Sequence, residues 1–470
     1  MKTLSTLFFL LFLTTLHSQP YTQNTYAYDS LMNVVYGTAV DYAGNTDTLL
    51  MDIYKPHGDG NCLRPIIVLV HGGDFIAGSK EDYDLVYLTR NLAAKGWVVA
   101  NINYRLGTHK AANYTQYPFC GTNLAAPCGY ISDSAEIFRA NYRGMQDAKG
   151  AVRFMKNRNL IDSSDVNNTF IAGESAGGFV AMAVAFIDQP SEKWVDCYAI
   201  ANAPNPDPDM ASFGCVPNPI SFARPDLGSI DGTLNIGTYD AKVKGVGSFF
   251  GGVLNLSLLQ QATDTPAVYL FHQGSDIIVN YNYGIVLGRT SWECFAQTNI
   301  CQQYYFYPYA YGGEGIRQYF VSLGSNAPLY QADIINNYSY MNNCFSNGHS
   351  IDNIQLRTQN MVNLFAPLIA ASGNNPATNC QSMSVNASSA TSAFAIYPNP
   401  AQDEIHVQLF QPMNNPTVRI YSSLGELVFE EQKNSGKVQL LDLNLHLDAG
   451  CYFLCVESNG MKFTKPLMIN

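Results

Sequence analysis

Five residues, Gly173-Glu174-Ser175-Ala176-Gly177, stand between a short apolar strand pattern, Asn168 to Ala172, and an alanine-rich helical run, Gly178 to Phe186. A serine on a sharp strand-to-helix turn needs small neighbours on both sides, because the backbone there is strained and Oγ must stand clear of the sheet. The two glycines meet that need and make Ser175 a candidate nucleophile. The pentapeptide alone is a weak signal, since serine between glycines also makes ordinary turns.

Its surroundings strengthen it. Arg64 to Val70 reads as a buried parallel strand that runs into His71-Gly72-Gly73-Asp74-Phe75, where glycines let backbone N–H groups face a ligand. Taken with His71-Gly72-Gly73, the stretches Asn103-Tyr104-Arg105-Leu106-Gly107, Gln146-Asp147-Ala148 and Gly173 to Gly178 resemble, in the same order, the carboxylesterase branch of the α/β-hydrolases, over roughly residues 35 to 370. The resemblance implies a doubly wound, mostly parallel sheet with cap insertions. It also implies an oxyanion hole made by the backbone N–H groups of Gly73, Asp74 and Ala176. One departure is visible: Asp74 stands where the family usually carries a third glycine. A carboxylate pointing into the hole opposes the charge that develops there, so its side chain is expected to turn away.

The family orders its triad Ser, acid, His. Downstream of Ser175, the apolar run Pro266 to His272 delivers Gln273-Gly274-Ser275-Asp276 at its carboxyl end, which makes Asp276 the expected acid. Of the 8 histidines, His17 lies in the leader, His57, His71 and His109 precede the serine, and His272 precedes the acid. His406 and His446 fall in a separate tail, so His349, just before the helical stretch Asn353 to Ala370, is the expected base. These roles imply ester hydrolysis through an acyl-enzyme, with no cofactor and no metal. The chain has no H-E-x-x-H, no P-loop and no dinucleotide fingerprint.

Charge excludes some partners. The net charge is −11, with no basic run, which argues against nucleic acid and against anionic membrane surfaces. Charged residues are only 13% of the chain and Tyr numbers 30, a surface suited to life outside the cell. Residues 1–18 read as a signal peptide: Lys2, an apolar run from Leu4 to Leu16 too short to span a bilayer comfortably, and a cleavage point after Ser18. No other segment reaches transmembrane length. The 11 cysteines suit an oxidising compartment, and Cys120 with Cys128, or Cys294 with Cys301, are candidates to close short loops or to remain free thiols.

The catalytic region is expected to span 19–372, followed by a Ser/Asn/Ala/Thr-rich linker over 373–393. From 394 to 470 the pattern becomes short alternating strands with turns at Leu424-Gly425 and Asn459-Gly460, a small all-β sandwich. Tyr397-Pro398-Asn399-Pro400, Tyr421 to Gly425, Gly450 to Phe453 and the basic Lys462 and Lys465 resemble the C-terminal sorting domain of the type IX secretion system of Bacteroidetes. That resemblance implies the type IX machinery as a partner and release from, or anchoring at, the cell surface. An accessory carbohydrate-binding module is the alternative.

Two insertions, Ala203 to Leu258 and Asn280 to Gly348, are candidate caps over the carboxyl edge of the sheet. The first follows an expected strand, Tyr198 to Asn202; the second carries Tyr304 to Tyr309, which fits either an aromatic pocket wall or a core strand. The sequence points to a secreted esterase acting on short-acyl, aromatic or polysaccharide-linked esters. A serine peptidase on the same fold and a non-catalytic adhesin are the alternatives.

Overall fold

The computed structural model describes residues 20–59, 61, 63–108, 133–200, 223–260, 265–286, 307–337, 348–370, 394–422, 425–433, 436–458 and 461–469. The expected signal peptide, the linker and both cysteine pairs lie outside them. Two compact units form, Met1–Asn379 and Cys380–Asn470.

In the first unit, strands β1 (Ala27–Val40), β2 (Thr46–His57), β3 (Arg64–Val70), β4 (Val98–Ile102), β5 (Ser164–Glu174), β6 (Gly245–Phe249), β8 (Ala267–Gln273) and β11 (Tyr330–Ile335) make one eight-stranded sheet. Its order is β1-β2-β4-β3-β5-β6-β8-β11. The β1–β2 and β2–β4 pairs are antiparallel, and from β4 onward every pair is parallel. Helices cover both faces: α2 (Ala135–Asn157) and α4 (Ala176–Phe186) on one, α1 (Tyr83–Ala94) and α6 (Ile354–Ala370) on the other. A single turn, α3 (Asn159–Asp162), leads into β5, and α5 (Gly313–Leu323) precedes β11. This is the α/β-hydrolase arrangement.

Strand β3 shows why such strands read as unbroken apolar runs. Ile66, Val68 and Val70 enter the core shared with Met145 and Val180, whereas Ile67 and Leu69 enter the opposite one with Leu88 and Phe365. Both faces being buried, period-two alternation vanishes.

Strand β6 departs from expectation. Tyr198 to Asn202 was an expected strand, but the described residues Tyr198 to Ile200 form none; Ile200 makes only an isolated bridge with Arg224. The strand that pairs with β5 is Gly245-Val246-Gly247-Ser248-Phe249. A Cβ on Gly245 would meet the Phe365 ring at 2.7 Å, and one on Gly247 the Met361 sulfur at 2.6 Å, so α6 packs where side chains would stand. Neither insertion is a cap throughout, because the first contains β6 and the second contains α5 and β11. Strands β7 (Gly252–Val253), β9 (Tyr283–Ile285) and β10 (Tyr309–Gly312) form a small separate sheet in the order β7-β10-β9. Tyr304 to Phe306 lie outside the described residues.

The second unit consists of two antiparallel sheets. One contains β12 (Phe394–Tyr397), β13 (Glu404–Asn414) and β16 (Lys437–Asn444); the other orders β14 (Thr417–Ser422), β15 (Leu427–Gln432), β17 (Gly450–Ser458) and β18 (Met461–Ile469) as β15-β14-β17-β18. Ile405, Val407 and Leu409 meet Val418, Ile420, Leu454 and Val456 in one core, as the alternating pattern requires of a sandwich. Among the described residues no helix is long and apolar enough to cross a membrane.

Candidate active site

Ser175 occupies the junction between β5 and α4 with φ 52° and ψ −122°, a strained backbone for a residue with a Cβ. The turn is tight: a Cβ on Gly173 would lie 2.2 Å from the Gly177 carbonyl oxygen, and one on Gly177 the same distance from that of Val70. Only glycine fits either place. Ser175 N–H donates to Phe249 O at 2.9 Å, which ties the elbow to the end of β6.

The loop after β8 carries Asp276, fully buried, and the loop before α6 carries His349. Ser175 Oγ lies 2.8 Å from His349 Nε2, and His349 Nδ1 lies 2.8 Å from Asp276 Oδ2. The Phe250 ring meets the imidazole edge-on at 4.6 Å. Gln273 Nε2 donates to Ser350 O at 2.9 Å, which fastens the histidine loop to the end of β8.

Asp276 is held at both oxygens. Ile278 N–H and Val279 N–H donate to Oδ1 at 2.8 and 3.0 Å, while His272 Nε2 lies 3.0 Å from Oδ2. Burial alone raises this carboxyl's pKa; the charge on His349 and the hydrogen bonds from both histidines override it and hold the group well below the usual carboxylate range.

The glycine loop after β3 is scaffolded by two of the motifs named above. Tyr104 stacks on His71 with ring centroids 4.6 Å apart and donates to His71 O at 3.2 Å. Gly107 N–H donates to Phe75 O at 2.6 Å. Arg105 grips the buried Asp147 of α2 with Nη2 to Oδ1 at 2.7 Å and Nε to Oδ2 at 2.9 Å. These residues therefore shape the loop rather than touch the serine.

Asp74 adopts φ 55° and its Oδ2 accepts a 2.7 Å hydrogen bond from the Tyr307 hydroxyl. Burial pushes its pKa up to about 6, against the lowering effects of Tyr307 and His349. Glu174, beside the serine, is pushed up to about 7 by burial and by Asp84 and Asp82. No hydrogen-bond acceptor among the described residues is paired with the N–H of Gly73, Asp74 or Ala176.

Ser175 and His349 line a cavity of about 470 Å³. Phe75, Phe179, Phe250, Leu254 and Val286 make one side apolar, while Asp74, Asp82, Asp84 and Glu174 supply carboxylates and no lysine or arginine is in its described lining. Sequence reasoning missed His272, set aside because it precedes the acid, and Gln273, which carries no motif. Tyr307, one residue of an ambiguous aromatic run, lines the cavity.

Fold and site together are those of an α/β-hydrolase sheet that brings Ser175, His349 and Asp276 into one hydrogen-bonded line. Residues 16–109 match the model of the carboxylesterase family, and residues 395–470 match that of the secretion system C-terminal sorting domain. The chain is similar to the neuroligin-like protein glit-1 of Caenorhabditis elegans, 29% identical over 133 residues, covering 28% of this chain and 15% of that protein. It is also similar to the bile salt-activated lipase of Homo sapiens, 28% identical over 142 residues, covering 29% and 16% respectively. The match thus spans about a sixth of the length of these relatives. Among solved structures, esterase 2 of Thermogutta terrifontis aligns with TM-score 0.38 and 15% identity, covering 73% of this chain and 94% of that one.

Proposed function

We propose that the protein is an exported carboxylic ester hydrolase. The observation that carries this reading is the continuous line from Ser175 Oγ through His349 to Asp276, two contacts of 2.8 Å each, opening on a cavity. His349 takes the Ser175 proton as Oγ attacks the ester carbonyl, then returns it to the departing alcohol as the C–O bond breaks. Water, deprotonated by the same imidazole, cleaves the acyl-enzyme and releases the acid. Asp276 keeps the imidazole's proton on Nδ1 and stabilises the imidazolium. The N–H groups of Gly73, Asp74 and Ala176 receive the oxyanion. The sorting-domain match over 395–470 supports export by the type IX route to the cell surface or beyond.

A panel of p-nitrophenyl acyl esters run beside peptide amides tests the activity. Ester turnover that disappears in Ser175→Ala, with a fluorophosphonate adduct mapped to Ser175, is the expected result. Preferential amide cleavage would transfer the site to peptidase chemistry; no turnover and no adduct in the folded protein would leave the adhesin reading. A fusion of residues 394–470 to a neutral cargo, followed to the surface of a type IX-competent cell, tests the export reading.

A further inference from the structure

Asp276 Oδ2 accepts from two imidazoles, and only His349 has a part in the scheme above. His272, the penultimate residue of β8, is completely buried. Its Nδ1 receives the N–H of Gly313, the first residue of α5, at 3.0 Å and therefore presents a lone pair. The ring proton accordingly resides on Nε2, where it is shared between Asp276 Oδ2 at 3.0 Å and Val279 O at 3.1 Å. The ring sits in a fitted slot: a Cβ on Gly313 would approach the His272 Cβ to 2.9 Å, and one on Gly312 the His272 Cε1 to the same distance.

We propose that His272 is a positioning residue of the hydrolytic site, a neutral Nε2–H donor that fixes the Asp276 carboxylate so that Oδ2 faces His349. The proposal rests on the esterase reading. The chemistry favours a neutral donor here. A lysine or arginine in this place would cancel the carboxylate charge on which the His349 imidazolium depends, whereas an imidazole held neutral by Gly313 orients the carboxylate and leaves its charge intact. With Oδ1 pinned by two backbone N–H groups and Oδ2 by His272, rotation about the Asp276 side chain is blocked without any contribution from His349. The acid is thereby tied to α5, an element of the second insertion, through one imidazole.

His272→Phe keeps a ring of similar size and removes the donor; His272→Gln restores an N–H near the place of Nε2. In the full chain, on p-nitrophenyl butyrate, His272→Phe is expected to lower kcat about ten- to a hundred-fold with KM within twofold, the loss of one hydrogen bond to a charged group. It should also move the acidic limb of the kcat profile to higher pH, because a carboxylate relieved of one donor holds the imidazole proton more strongly. His272→Gln should recover most of kcat and return the limb. Asp74 and Glu174 also face His349, so the profiles are compared in an Asp74→Asn, Glu174→Gln background to isolate this limb. A folded His272→Phe variant with unchanged kcat and limb overturns the proposal, as does loss of kcat with an unmoved limb, the mark of a purely structural role. If the phenylalanine variant does not fold, long-range ¹H–¹⁵N spectra of the wild-type chain at pH 8 decide: an Nε2–H tautomer for His272 supports it, and a ring protonated at Nδ1 overturns it. A wild-type chain without ester turnover defeats the esterase reading instead, an outcome distinct from all of these.

Discussion

The phenol of Tyr307 donates a 2.7 Å hydrogen bond to Asp74 Oδ2, joining the middle of the second insertion to the glycine loop beside Ser175. The bond occupies the carboxylate that stands where a third glycine is usual, and so holds its charge to one side of the N–H groups. Tyr307→Phe removes the one hydrogen bond that lowers this group's pKa, so Asp74 should ionise above its present value of about 6. The ionised side chain is then free to turn toward the oxyanion. We expect kcat near pH 8 to fall about tenfold, the loss of one charge-assisted hydrogen bond. Asp74→Asn, which tolerates the left-handed backbone, should restore turnover and erase the pH dependence near 6. Rate–pH profiles of the three proteins check both statements.

Glu174 links pH to stability in a calculable direction. Its carboxyl, raised from 4.5 to about 7 in the fold, binds a proton more tightly folded than unfolded. Stability therefore falls as pH rises from about 4.5 through 7 and stays low above. Glu174→Gln keeps an acceptor for the Gly72 N–H and removes the titration. We expect the variant to match wild type at pH 4 and to exceed it by about 2 kcal/mol at pH 8, a figure reduced because the carboxyl faces the open pocket. Urea midpoints at the two pH values measure it.

The three residues of the proposed triad should act as a unit. Ser175→Ala, His349→Ala and the double variant are expected to show nearly equal residual rates, roughly 10⁴-fold or more below wild type. Asp276→Asn should lose a comparable factor, by stabilising the wrong imidazole tautomer. Additive losses in the double variant would mean that another group serves Ser175.

The Arg105–Asp147 pair is structural, and its removal should show in stability before chemistry. Asp147 is fully buried, so Arg105→Met leaves a carboxylate without its charge partner, a change that costs about 3–5 kcal/mol. Because Arg105 N–H also donates to Asp147, and the neighbouring Tyr104 holds His71, the glycine loop should loosen with it. Thermal unfolding is the direct readout; a variant as stable as wild type would contradict the account.

What could be read from the chain follows from which forces act locally. Strands β3, β5 and β8 were legible because a strand buried on both faces must be apolar throughout, and Ser175 was legible because an elbow demands glycines at fixed offsets. Strand β6 was not. Its Gly245 and Gly247 exist to admit Phe365 and Met361 of α6, more than a hundred residues away, and glycine in a short run reads as a turn. Asp276 and His349, which the structure brings together with Ser175, were singled out by chain order, and the same ordering argument discarded His272, whose proposed part depends on a three-dimensional contact with Gly313. The aromatic run at Tyr304 to Tyr309 fitted two readings because bulk and apolarity serve a core strand and a pocket wall equally; of its described residues Tyr307 lines the cavity, while Tyr309 opens β10.

The shape and charge of the cavity set the expected selectivity. Phe75, Phe179, Phe250, Leu254 and Val286 in the lining of the cavity of about 470 Å³ give an acyl chain apolar contact, worth about 0.8 kcal/mol for each CH₂ buried against them. Efficiency should be greatest for acetyl to butyryl esters and decline for longer chains, because Asp74, Asp82, Asp84 and Glu174 line the same cavity and a longer apolar chain would have to lie against them, with no interfacial activation on emulsified triglyceride. The carboxylates of Asp74, Asp82, Asp84 and Glu174, facing no lysine or arginine among the described lining residues, should in addition disfavour anionic esters. At pH 8, above the values of both Asp74 and Glu174, a hemisuccinate ester should have a kcat/KM at least tenfold below that of the butyrate ester of the same alcohol. The gap should narrow toward pH 5.5 as Glu174 and Asp74 take up protons, given their values of about 7 and about 6. Rising efficiency beyond butyrate, or equal turnover of hemisuccinate and butyrate at pH 8, would place the substrate outside this cavity.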